Sequence, residues 1–236
     1  MKSSKAQVVK SKDLNIKDIT MSKIIKGKTG GKTVYLNYKN GSLNIQMPKM
    51  MIRGNIYEMK DGNGKVTNTN YNVNLSFFGE DENHKVKEVH KLMKDLDQLV
   101  QDAYDDKFRE WTGKKKKPAK VYKPCVRENY NEKTDTTYAD DMRIKVRTDF
   151  NDKSTFECNI FNAEKNSDGI YEPIEFNVDN FSDVISRNMP GTCVIQCAGV
   201  WVNDTSYGLG WRLLQAKIKP PTINRKEYDQ LPDTDE

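Results

Sequence analysis

The chain has 236 residues, 31% of them charged, a net charge of +5 and a mean hydropathy of −0.85. That is length for one decorated domain or two small ones, with ample residues for a core. No run of about 18 apolar residues is present to span a membrane, and the opening MKSSKAQVVKSK lacks the apolar stretch of a secretory signal. The charge is uneven: the first fifty residues hold eleven lysines against Asp13 and Asp18, while Glu227, Asp229, Asp233, Asp235 and Glu236 crowd the last ten. A basic body with an acidic end points to an anionic partner and to a segment that competes with it or recruits others. Cys125, Cys158, Cys193 and Cys197 show no close-pair metal spacing. Cys193 and Cys197, four residues apart on one strand, are too distant to bridge, so the four read as reduced thiols of an intracellular protein.

Taken in order, residues 1–30 form a basic segment in which Leu14, Ile16, Ile19, Ile24 and Ile25 can make an edge strand. Thr33–Met47 reads as a hairpin, with Val34, Leu36 and Tyr38 alternating with Tyr35 and Asn37. Asn40-Gly41 is its type I′ turn signal, and Leu43, Ile45 and Met47 return against Asn44 and Gln46. A second hairpin runs out from Asn55 to Lys60 and back through Tyr71, Val73, Leu75 and Phe77, joined by a mobile loop to Asn70. The period then changes: Val86, Val89, Leu92, Met93, Leu96, Leu99, Val100 and Ala103 recur at helical steps, predicting one long helix over about 83–111. His84 and His90, six apart on it, face different directions, cannot share a metal, and read as surface residues. Lys114–Lys117 follows the helix.

Val121–Val126 reads as a strand and Arg127–Ala139 as a polar loop. In Met142–Phe150, Met142, Ile144, Val146 and Phe150 point inward and Arg143, Lys145 and Arg147 outward; Thr155–Phe161 is expected to pair with it. Asn162–Glu172 is a loop or hairpin tip, and Val178–Ile185 holds a short helix capped by Asp179 or Asn180. The last hairpin, Gly191–Lys219, has the clearest plan. Cys193–Val202 is apolar on both alternating faces, which predicts a strand covered on both sides and makes Trp201 a core residue. On the return strand Trp211, Gln215, Lys217 and Lys219 share a face, and Gly208 and Gly210 invite close approach of another backbone. Residues 222–236 lack the apolar content to pack and read as a disordered acidic tail. The expected architecture is mainly β, an antiparallel OB-like Greek-key barrel or small sandwich over 31–221 with the long helix covering an open end.

Period-two spacing places Arg143, Lys145 and Arg147 on one sheet face about 6.6 Å apart, suited to an extended phosphate backbone; a solvated outer face is the competing reading. Tyr35, Tyr138 and Trp211 lie on partly polar segments where rings can stack on bases, with Asn37 and Gln46 as polar edge contacts and Lys114, Lys115, Lys116 and Lys117 as further phosphate contacts. No cofactor or metal set is found, and no nucleophile elbow or HExxH motif. Glu58-Met59-Lys60 and Asp152-Lys153 are the faint basis for a metal-dependent nuclease, the remote alternative to a non-enzymatic binder.

Several segments together carry a family resemblance: Gln46-Met47-Pro48-Lys49-Met50, the helix ending at Trp111, Val121–Val126, Tyr138 with Met142–Val146, Phe181–Ile185, and Gly199-Val200-Trp201-Val202 with Tyr207–Gln215. In this order they resemble the single-stranded DNA-binding OB-fold proteins of nucleocytoplasmic large DNA viruses, with members in African swine fever virus and giant-virus relatives. The resemblance covers roughly residues 30–220. It implies sequence-tolerant binding of single-stranded DNA, with RNA as the other candidate, in viral replication, repair or recombination. It further implies a place in the host cytoplasm or nucleus, and replication proteins as partners of the acidic tail. A virion or scaffold module using the same sheet for protein contacts is the alternative; the oligomeric state is left open.

Overall fold

The computed structural model describes residues 7–27, 30–186 and 188–219. Its main elements in chain order are β1 (Ile19–Met21), β2 (Lys32–Val34), β3 (Leu36–Tyr38), β4 (Asn44–Gln46), β5 (Met50–Lys60), β6 (Val66–Ser76) and α1 (His84–Thr112). Then follow β7 (Val121–Lys123), β8 (Val126–Asn131), β9 (Thr136–Val146), β10 (Asn159–Lys165), β11 (Tyr171–Ile174), α2 (Phe181–Val184), β12 (Met189–Val202) and β13 (Ser206–Ile218). Five of them close on themselves: β5 pairs β6, β6 pairs β9, β9 pairs β13, β13 pairs β12, and β12 returns to β5. Numbered along the chain, the ring runs 1-2-3-5-4-1, with strands 3 and 5 parallel. This is the five-stranded Greek-key barrel of the OB type, mainly β with one long helix inserted between its second and third strands.

Both ends of the barrel are plugged. Asn83 starts α1, its side chain accepting the Lys85 N–H at 3.1 Å, and Gly113 ends it in the left-handed region. The helix lies over the end where β6 stops and β13 begins: His90 stacks on Phe77 at 4.2 Å and Tyr104 on Tyr207 at 4.1 Å. Val86, Val89, Met93, Leu96 and Val100 are buried beneath it, each contributing roughly 1.5–3 kcal/mol. Asp97 ties the incoming β7–β8 segment to the helix, accepting from Tyr122 Oη at 2.5 Å, Cys125 N at 3.0 Å and Val126 N at 3.3 Å. At the opposite end Tyr71, Phe156, Phe176 and Phe181 pack ring against ring around α2.

The apolar pattern of the last hairpin has a different cause from the expected one. In β12, Cys193, Ile195 and Cys197 are buried while Val194 and Gln196 are half-exposed and Ala198 is exposed; beyond Gly199 the phase flips, and Val200 and Val202 are buried. The register shifts between Cys197 and Gly199, where Gly199 takes φ +99°. A bulge therefore moves the buried set by one residue, and β12 has one core face, not two. The flip turns Trp201 outward: it is half-buried across Gly208, not core. A second shift, between Val194 and Ile195, leaves Leu214 as the extra residue of β13. Trp211 and Leu213 thus face the core with Ala216 and Ile218, whereas Gln215 and Lys217 join Arg212 outside. The glycine expectation holds at Gly208, where a Cβ would fall 2.6 Å from the Lys123 carbonyl of the parallel-paired β7.

Other expectations need correction. The ring is not wholly antiparallel, since β13 pairs in parallel with β7, β9 and β10. The hairpin at 33–47 keeps only two rungs, because the return strand leaves after Ser42 and β4 joins β12 instead. Its turn carries positive φ at Lys39 and Asn40, one residue before the expected pair. The loop to Asn70 is short: β5 and β6 pair from Met51–Ser76 out to Lys60–Val66. Arg127–Ala139 is no loop but the β8–β9 hairpin. Phe150 lies beyond the end of β9 and is 84% exposed. Thr155–Phe161 touches Thr148 through one bridge only; β10 pairs β13 and β11. His90 is buried, its ring nitrogens 2.5 Å from Glu80 and 3.1 Å from Asp140, because it sits on the Phe77 side of the helix. The acidic stretch 222–236 and residues 1–6 lie outside the described residues.

Candidate nucleic-acid interface

Alternation along β9 sends Met142, Ile144 and Val146 into the core, so Arg143 and Lys145 stand on the outer wall of the barrel. Register then builds rows across the strands. Arg143 opposes Asn74, which opposes Arg53. One rung on, Lys145 opposes Asn72 and Asn55 on one side and Arg212 on the other, and Arg212 leads through Gln196 to Asn44. Six polar side chains in register, Asn55, Asn72, Lys145, Arg212, Gln196 and Asn44, make a belt of roughly 24 Å at the usual strand spacing. Arg212 Nε donates to Gln196 Oε1 at 2.6 Å, and Gln196 Nε2 donates to Asn44 Oδ1 at 2.7 Å.

The cations of the belt differ in their freedom. Glu157 lies 3.5 Å from Arg147 and 3.6 Å from Arg212 and partly neutralises both. Arg143 and Lys145 have no carboxylate within ion-pair distance among the described residues. Partial burial and then the nearby Arg127 lower the Arg143 pKa, with Asp141 opposing; the guanidinium stays charged at any working pH. Beside Arg143 a cleft of about 530 Å³ opens between β5, β6 and the β8–β9 hairpin. Its floor holds the buried Asp141, ion-paired with Arg127, 3.9 Å from Arg53 and accepting from Asn74 Nδ2 at 3.1 Å. Tyr138 and Phe78 line the same cleft, 54% and 72% exposed. Exposed rings beside cations, on the face of barrel strands 2 and 3, provide what stacked bases and a phosphate chain require.

The sequence candidates divide accordingly. Arg143, Lys145, Arg147 and Tyr138 come together on this wall. Gln46 lies on the same outer surface farther round, in register with Val194 and so with Gln215. Tyr35 is exposed in the link between β2 and β3, and Asn37 is half-buried in β3, which pairs with β1 and not with β9. Trp211 is not a stacking candidate: it is 3% exposed, its indole directed into the core by the phase of β13. Lys114–Lys117 is exposed after α1, and Lys117 pairs with Asp105 at 2.5 Å. Burial, then Lys114 and Lys32, lower the Lys120 pKa, and Lys120 donates to the Asn203 and Asp204 carbonyls. The lysine run therefore borders the β12–β13 connection, one of the two loops that flank an OB binding face.

Sequence reading missed Arg53, Asn72, Asn74, Phe78, Arg127, Asp141 and Arg212. One signal was available. Asn68, Asn70, Asn72 and Asn74 recur at period two, and asparagine is depleted in strands, so a strand that repeats it marks a polar face with a purpose. Tyr57, 60% exposed, extends that face along β5.

No protein-family description matches the chain, and no curated protein does. Among solved structures, the C-terminally truncated single-stranded DNA-binding protein from bacteriophage Enc34 is similar at 14% identity, over 86% of this chain and 96% of its own, with TM-score 0.42. The same protein in complex with ssDNA gives 14%, 86%, 95% and 0.42. A further structure of it gives 13%, 88%, 94% and 0.39. At that distance the likeness identifies no residue or ligand of this chain. None of these three structures comes from the large-DNA-virus family that the sequence motifs resemble.

Proposed function

We propose that this protein binds single-stranded DNA with little sequence choice, along the outer wall formed by β5, β6 and β9, and acts in viral DNA replication, repair or recombination inside the host cell. The observation that carries the reading is the row Arg53–Asn74–Arg143 beside the exposed rings of Tyr138 and Phe78. Cations fix the backbone, and each stacked base contributes about 1–3 kcal/mol whatever its identity. The function is binding, not catalysis. The acidic residues from Glu227 to Glu236 belong to the same proposal, as a competitor for the belt and a docking segment for replication proteins.

Anisotropy of a labelled oligo-dT tests it. Tryptophan emission is a poor reporter, because Trp111 and Trp211 are buried and Trp201 alone is partly open. Binding at low salt that weakens as salt rises, and weakens at least several-fold in Tyr138→Ala, is expected; no binding at low salt overturns the proposal. A parallel oligo-rU titration decides between DNA and RNA.

A further inference from the structure

We propose that the bound strand continues past the belt into a second basic groove, on the outer surface of β4, β12, β13, β10 and β11, so that one protein holds two stretches of single-stranded polynucleotide in series. This rests on the single-strand reading and adds a second seat to it. Three depressions adjoin one another on that surface. The first, of about 380 Å³, is lined by Lys165, Tyr171, Gln215 and Lys217. The second, of about 110 Å³, shares Gln215 and Lys217 with it and adds Gln46. The third, of about 260 Å³, shares Gln46 and ends at Lys10, Lys12 and Lys85. Strand register makes them continuous: Lys10 opposes Gln46, Gln46 opposes Val194, and Val194 opposes Gln215. That row is about 14 Å long at the usual strand spacing. It also joins the belt, because Gln215 and Lys217 face outward on β13 together with Arg212.

The charges at the β10–β11 end are uncompensated. Lys217 Nζ lies 3.2 Å from the centre of the Tyr171 ring and Lys165 Nζ 5.4 Å from it, so two ammonium groups converge on one half-buried ring. A ring face attracts cations, but two like charges held over it repel each other, and an anion between them relieves that repulsion. Neither lysine has a carboxylate within ion-pair distance among the described residues, and the neighbouring Glu164 is taken by Lys219 at 2.7 Å. At the far end Lys10, Lys12 and Lys85 are exposed and share the depression with a single described carboxylate, Glu88. A groove with cations at both ends and the amides of Gln215 and Gln46 between them fits an extended chain that carries negative charge at regular steps. Its continuity with Arg212 selects the strand already on the belt over a separate polyanion.

The test measures binding of labelled oligo-dT of about 6 and about 16 nucleotides, near the two ends of what one OB fold covers, to the full chain and to Lys165→Glu/Lys217→Glu. In the wild type the slope of log affinity against log salt should be steeper for the longer oligomer by at least about 1.4, at about 0.7 for each of two phosphates. The variant should bind the longer oligomer about tenfold or more weakly at about 0.1 M salt and the shorter one within about twofold of wild type. Lys23→Glu/Lys39→Glu, the same charge change just beyond β1 and β3, should leave both lengths within about twofold. Equal wild-type slopes overturn the second groove even if the variant does not fold. So does a variant that loses nothing on the longer oligomer, or one that loses equally on both, or an equal loss in the control pair. In each of these cases wild-type binding of the shorter oligomer keeps the first wall intact; wild-type binding of neither length overturns both.

Discussion

Arg143 and Lys145 carry the sharpest quantitative consequence of the barrel wall. They lie two residues apart on β9, about 6.6 Å along the strand, with no ion-pair partner among the described residues. If each neutralises one phosphate, the double variant Arg143→Ala/Lys145→Ala lowers the slope of log affinity against log salt by about 1.4, at about 0.7 per contact. Taken from 1 M to 0.1 M salt, the same slope corresponds to about 25-fold weaker binding at the lower concentration. Arg147 is the internal control, since Glu157 already holds its guanidinium at 3.5 Å. Arg147→Ala should move the slope by less than about 0.3. Anisotropy titrations of oligo-dT between 0.05 and roughly 0.5 M salt measure all three proteins. A double variant with the wild-type slope, or an Arg147 variant with an equal loss, refutes the reasoning.

Three further outcomes concern the scaffold. Gly199→Ala places a Cβ 2.7 Å from Thr33 Cγ2 and 2.8 Å from the Val34 carbonyl at φ +99°; urea unfolding should show a loss of about 2–4 kcal/mol, and a change below about 0.5 kcal/mol would count against the bulge. Asp97→Ala strands the Cys125 and Val126 amides and the Tyr122 hydroxyl and should cost about 3 kcal/mol in the same assay; a loss under about 1 kcal/mol would show that the clasp contributes little. Burial pushes the Cys193 and Cys197 thiols up to about 12. Their contribution is full below the unfolded thiol value of about 8.5 and declines as pH rises toward 12, by at most about 1.4 kcal/mol per thiol and pH unit. Unfolding midpoints should fall between pH 8 and pH 10 by less in Cys193→Ala/Cys197→Ala than in the wild type; equal falls would contradict the burial argument.

Much of this fold was readable in the chain because its signals are local. The helix appears within a residue or so of its expected span, since apolar spacing, Asn83 and Gly113 agree about where it starts and stops. Arg143 and Lys145 were readable because one strand's alternation exposes them, and Tyr138 because it stands on a partly polar segment. What was not readable depended on interruptions of alternation or on pairing between distant strands. The bulge at Gly199 and the extra Leu214 shift the phase, so constant alternation misassigned Trp201 and Trp211. Arg53, Asn74 and Arg143 form a row only once three strands are in register. His90 looked like a surface residue because the groups that bury it, Phe77 and Asp140, lie outside the helix.

Photo-crosslinking of a bromodeoxyuridine oligomer, followed by mapping of the modified peptides, tests the central claim most directly. The barrel wall predicts adducts at Tyr138, Phe78 and Tyr57, competed away by unlabelled single strands and reduced by salt. Adducts confined to Tyr35, Tyr130 or Phe150, or none under conditions where the oligomer is bound, would contradict it.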